Sequence, residues 1–244
     1  MTNKSFAYIK LNRLERLVTT SGISFKEFCA GLERKPANLL ILDANCVYWE
    51  LVRHPNVFLD HVRFEEIERD IRDISIGNFC WVDFEDPANL DRVTKQELAE
   101  LLYFNHTVKP FSHFQIASLR NRFAYHAHDD DWSVRLYMEN PDDYRAIVAH
   151  KLVKELKGRK RTMPPPPDEI LDRLMEMFEQ GAAIDFEAAS IGERFTGVHI
   201  YPIGDCWNAP YGMDAIHERL DRQRANCAGV HLAFETRGKR WRFY

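Results

Sequence analysis

The chain has 244 residues, 45% of them hydrophobic and 29% charged, a balance that suits a packed globular chain and excludes disorder. A formal net charge of −4 gives no overall attraction to nucleic acid or an anionic membrane, so any such contact needs a local basic patch. Apolar runs such as Leu39–Leu42 fall far short of the about 20 residues a spanning helix needs, the first twenty residues lack a secretory apolar block, and Cys29, Cys46, Cys80, Cys206 and Cys227 show no Cys-x-x-Cys spacing, so the sequence predicts a soluble, cytoplasmic protein with reduced thiols.

From the N-terminus, Leu11, Leu14 and Leu17, then Phe25, Phe28 and Leu32, recur at helical spacing and predict a helical hairpin joined near Ser21 and Gly22. Alternation and β-branched or aromatic content predict strands at Phe79–Phe84, Arg122–His126 and Trp132–Met138, the last two flanking an acidic turn. Thr94 and Glu97 have capping-box spacing ahead of Leu98, Leu101 and Leu102, which starts a helix. A further helix follows Asn140, with Pro141 in its first turn and Asp142 and Asp143 at its positive end.

Between Lys151 and Pro167 the composition changes from a basic run to four consecutive prolines, and a polyproline path makes a semi-rigid spacer. The reading places a linker at 158–167 between a larger unit, 1–157, and a smaller one, 168–244. In the second unit, Leu171, Leu174, Met175 and Phe178 give Asp168–Gln180 an apolar face, and Gly181 closes that helix. A strand at Gly197–Pro202, a helix near Asp214–Arg224 and a terminal β-hairpin follow, with Val230–Phe234 and Arg240–Tyr244 flanking a turn in which Gly238 takes a positive φ. Helices and strands alternate irregularly, so the expected class is α+β with a mixed or antiparallel sheet.

Three constellations carry candidate chemistry. His126 and His128 lie two apart on a strand and therefore share a face, with Asp129 and Asp131 in the turn behind them. Two imidazoles and a carboxylate suit a divalent metal, which would activate water for phosphoester hydrolysis. The plainer reading is a wet histidine pair beside an Asp-rich turn. Asp83 and Glu85 share a strand face with Phe79 and Trp81, where burial would raise a carboxyl pKa for general acid or base work; at a polar strand end they would simply stay solvated. Basic side chains gather at Lys154, Lys157, Arg159, Lys160 and Arg161, and again at Arg240 and Arg242 beside Trp241, Phe243 and Tyr244, which suits phosphate contact with base stacking. Cys206 would be a nucleophile only if a histidine such as His199 or His231 approached it.

Gly22, Ile23, Ser24, Glu27, Phe28, Leu32, Pro36 and Leu39 resemble repressor-type helix-turn-helix domains, which implies a helix in the DNA major groove. The chain departs from that pattern at Leu39–Leu42, which carries no group to read base edges. The stretches NFCWVDFED (78–86), AELLYFNH (99–106) and FAYHAHDDDW (123–132) resemble an uncharacterised family of soluble bacterial proteins, and that resemblance implies no activity. Phosphate-loop, dinucleotide and nucleophile-elbow motifs are absent. The expected function is therefore a non-catalytic intracellular binding or regulatory protein whose partner is another protein. The alternatives are the metal-dependent hydrolase, with a divalent metal as its cofactor, and a nucleic-acid binder.

Overall fold

The computed structural model describes residues 5–42, 60–69, 79–104, 113–128, 132–157, 163–207 and 212–244. Its strands are β1 (Phe6–Asn12), β2 (Leu17–Ser21), β3 (Asn38–Ile41), β4 (Asp60–Arg63), β5 (Phe79–Phe84), β6 (Phe123–His128), β7 (Ser133–Met138), β8 (Ala182–Ile191), β9 (Phe195–Pro202), β10 (Val230–Glu235) and β11 (Arg240–Phe243). The helices are α1 (Phe25–Gly31), α2 (Phe64–Ile67), α3 (Lys95–Phe104), α4 (Tyr144–Leu156), α5 (Asp168–Gln180) and α6 (Gly212–Ala225). All eleven strands join one sheet, ordered β11-β10-β9-β8-β1-β2-β7-β6-β5-β3-β4, and the described pairings are antiparallel.

The N-terminal helical hairpin is overturned. Residues 6–21 form the β1–β2 hairpin, with Leu11 opposite Val18 and Asn12 opposite Leu17. The cause lies in two-sided burial: Ala7, Ile9 and Leu11 enter one apolar cluster while Phe6 and Tyr8 enter another, so the strand reads as a continuous apolar run rather than an alternating one. Leu14, which supplied the helical spacing, sits in the turn and is 97% exposed. Only the second helix of the expected pair forms, as α1, with Ser24 and Glu27 closing a reciprocal capping box. The helix-turn-helix resemblance fails with it, because Leu39 and Leu40 are buried in strand β3.

Other elements follow their local signals. Asn140 caps Asp142 ahead of α4, Thr94 and Glu97 bond reciprocally at the start of α3, and α5 ends on Gly181 at φ 90°. In the C-terminal hairpin the positive φ falls on Lys239 rather than Gly238; a Cβ at Gly238 would instead crowd the Glu235–Arg240 ion pair. Strands β8–β11, from the segment after the prolines, extend the sheet through β1. Met163 enters the main core, and the carbonyl of Pro164 accepts a hydrogen bond from Trp241 Nε1 at 3.0 Å.

The two faces of the sheet differ. On one, a single core runs from Leu39, Phe79 and Trp81 through Val18 and Ile9 to Leu232 and Trp241, under α1, α2, α4 and α5. Glu27 and Lys151 are buried within this layer and pair at 2.8 Å, which is how the layer tolerates two charges. The other face carries two separate apolar patches: one under α3 (Leu40, Val82, Leu101, Ala124, Tyr137) and one under α6 (Phe6, Tyr8, Ala183, Tyr201, Ile216, Leu220). Outside those patches this face carries both histidine pairs, His126–His128 and His199–His231.

Candidate functional site

Strand registers on the second face set Lys10 opposite Thr19, Thr19 opposite Arg135, and Arg135 opposite His126. His128 lies opposite Ser133 in the neighbouring row. The result is a polar strip, the trough, between the two apolar patches, with Lys10 at its end donating its Nζ to the carbonyl of Glu179. His126 and His128 do meet, with ring centroids 4.4 Å apart. His126 is only 4% exposed; burial first, then His128 and Arg135, depress its pKa to about 4, so it is neutral at pH 7. Asp129 and Asp131 lie outside the described residues, and among the described residues no group of three His, Cys, Asp or Glu side chains is arranged to hold a metal ion.

The two carboxylates have different settings. Asp83 is 1% exposed on the side of the main core, and it accepts the backbone N–H groups of Arg122 and Phe123 and the Nε–H of Arg122, each at 2.8 Å. Burial pushes its pKa up while those three donors pull it down. Arg122 continues to the carbonyls of Arg34 and Lys35, so Asp83 clamps the end of β5 to β6 and to the chain entering β3. Glu85 is exposed and pairs with Arg34 at 2.6 Å.

Of the basic run before the prolines, Lys154 bonds Glu27 at 2.8 Å, inside the ion cluster that holds α4 to α1. Lys157 follows α4 on the surface, and Arg159, Lys160 and Arg161 lie outside the described residues. Cys206 is fully buried, its Sγ turned to the carbonyls of Ile203 and Gly204. Burial raises its pKa, the opposite of what a thiolate nucleophile needs.

The second basic region has a different character. Arg240 and Arg242 alternate with Trp241, which is buried in the main core, so both arginines face the opposite side, with Tyr244 two further on. On that side β9 presents Phe195 and His199, and β10 presents His231 and Glu235 opposite them. Phe195 is 45% and Tyr244 61% exposed, with their rings edge to face at 6.5 Å. His199 and His231 lie beside them in the row that ends at Tyr244, ring centroids 4.8 Å apart. No residue of β10 or β11 enters the cluster beneath α6, so this part of the sheet is an open shelf. The two turns at its far end carry Glu193 and Arg194, and Arg237 and Lys239, beside the Glu235–Arg240 ion pair, with Arg242 one row in, opposite Ala233. Arg194 is brought in by its carbonyl, which accepts the N–H of Thr236 at 3.0 Å.

Reading the sequence identifies Arg240 and Arg242 but misses that Phe195, His199 and His231 share their surface. A signal exists: Gly-Val-His occurs twice, at 197–199 and 229–231, each inside an alternating segment, and antiparallel pairing of the two copies puts the histidines opposite one another. Compared with protein-family models, curated proteins and solved structures, the chain matches none.

Proposed function

We propose that this chain is a binding protein and that its ligand is a single-stranded nucleic acid laid across β9, β10 and β11. The observation that carries the reading is the shelf itself: exposed rings of Phe195 and Tyr244 meet edge to face beside two imidazoles, on a face whose rim carries five cations against two carboxylates. Flat rings on an open antiparallel sheet stack bases, and guanidinium and ammonium groups hold the phosphates. The net charge of −4 then works as discrimination, since attraction is confined to the rim and the rest of the surface repels a polyanion.

Fluorescence anisotropy with a labelled single-stranded oligonucleotide tests this. Affinity should fall with salt at a log–log slope of roughly −0.7 per phosphate contact, and Phe195→Ala and Tyr244→Ala should each cost about 1–3 kcal/mol of binding. Charge reversal of Arg240 and Arg242 should flatten the salt dependence. Salt-dependent capture of an acidic peptide that ignores Phe195 and Tyr244 would instead identify a protein ligand, and no binding of either class would end the proposal.

A further inference from the structure

We infer that His199 and His231 form a two-imidazole site for a borderline divalent ion of the zinc, nickel and copper class, with solvent completing the coordination. The backbone sets the geometry. His231 donates its N–H to the carbonyl of Tyr244 and accepts the N–H of Tyr244, so both of its backbone groups turn toward β11. Toward β9 it is therefore in a non-hydrogen-bonded pair with His199, the arrangement that brings opposed side chains closest. With nitrogen–metal bonds of ~2.0–2.1 Å, two imidazoles sharing one ion at a right-angle to tetrahedral spread hold their ring centres roughly 4.5–5 Å apart. Here they stand 4.8 Å apart, their planes inclined by 33°.

Two neighbours favour this pair over the one in the trough. Gly197 lies diagonally beside His231, and a Cβ there would meet His231 Nε2 at 2.7 Å; the missing side chain leaves that nitrogen its room. The pair also has no cation directly opposite it, since His199 faces Asp185 on its other side, whereas His126 faces Arg135. Asp185 is itself held by Arg224 through two hydrogen bonds, so it supplies no third ligand and solvent would complete the coordination. The inference shares the two imidazoles with the nucleic-acid reading but needs neither the arginines nor the exposed rings, so a metal titration without nucleic acid can fail or succeed independently of it.

The test uses the full chain, stripped with chelator and titrated with Cu2+, Ni2+ or Zn2+ alone. One ion should bind per chain, tightest for Cu2+. Cu2+ should show spectroscopic coupling to two imidazole nitrogens and broaden the ring resonances of His199 and His231 before any others. His199→Asn and His231→Asn should each weaken binding at least tenfold, and His126→Asn should leave it unchanged. Binding should fade as pH drops below the imidazole range, since protons compete for the same nitrogens. Early broadening of His126 and His128 instead, or stoichiometric binding that survives in the His199→Asn/His231→Asn double variant, would overturn the assignment. So would the absence of saturable binding in the unaltered protein. The broadening experiment needs no variant, so its result stands whether or not the substitutions fold.

Discussion

The sheet carries a histidine pair toward each end, and the two pairs differ in how they are enclosed. His126 and His128 lie on one strand of the trough, with His126 4% exposed and Arg135 directly across from it. His199 and His231 lie on adjacent strands of the open shelf, half-buried, with exposed rings around them. The same side chain therefore does different physical work at each end. In the trough a buried neutral imidazole makes folding sensitive to acid; on the shelf a neutral imidazole stays open to a ligand. Each end also carries a buried carboxylate clamped by an arginine, Asp83 by Arg122 and Asp185 by Arg224.

Breaking those clamps should give the largest effects. Asp83→Ala removes an acceptor shared by three donors and leaves the Arg122 guanidinium without its carboxylate. Loss of one partner of a buried pair costs about 3–5 kcal/mol. Asp185→Ala should cost a similar amount, since Arg224 Nε and Nη2 and the N–H of Glu187 all converge on it. Glu85→Ala, which breaks only the exposed pair with Arg34, should cost less than about 1 kcal/mol. Urea unfolding of the three variants checks the order. A Glu85 variant as destabilised as the Asp83 one would show that the clamp is not what holds the end of β5.

Acid should separate the two histidine pairs. The folded pKa of His126 is depressed to about 4, below the roughly 6.5 of an unfolded histidine. The unfolded chain then binds the extra proton between those values, so the contribution is fully present above pH ~6.5 and is lost as pH falls through about 4. The complete loss is about 3 kcal/mol by linkage. His231 is shifted in the same direction, by burial and then His199, and being half-exposed it should contribute less. His126→Asn should therefore flatten stability against pH between about 6.5 and 4, and His231→Asn should barely change it. Equal flattening by the two would remove the distinction between an enclosed and an open end.

Much of this contrast was legible only where the chemistry is local in sequence. The His126–His128 pair is visible because a strand puts residues two apart on one face. The His199–His231 pair depends on register between two strands, which no local pattern fixes until the repeated Gly-Val-His is noticed. Caps made α3, α4 and α5 readable, because Thr94, Asn140 and Gly181 act on neighbouring backbone. The β1–β2 hairpin was not readable, since burial on both faces erased its alternation. The sequence marks Asp83 as a potential acid through its aromatic neighbours Phe79 and Trp81. Its three donors come from 39 and 40 residues away, and only the fold brings them.

The smallest expected effect concerns how α3 is anchored over the apolar patch of Leu40, Val82, Ala124 and Tyr137. Glu97, in the first turn of α3, accepts the N–H of Thr94 at 2.8 Å and also the N–H and Oγ–H of Ser118. Those bonds hold its pKa down at about 2, with the Thr94 N–H the largest cause. A depressed carboxyl stabilises above its unfolded pKa and loses that contribution as pH falls toward about 2. Because Glu97 is only half-buried, solvent screens the gain, and Glu97→Gln should cost less than about 1 kcal/mol. The sharper readout is the carboxyl's own titration by NMR. Ser118→Ala removes the hydroxyl donor but keeps the backbone N–H, so the Glu97 pKa should rise part of the way toward its ordinary value and no further. An unchanged titration would mean that the Ser118 hydroxyl does not tie α3 to the segment beside it.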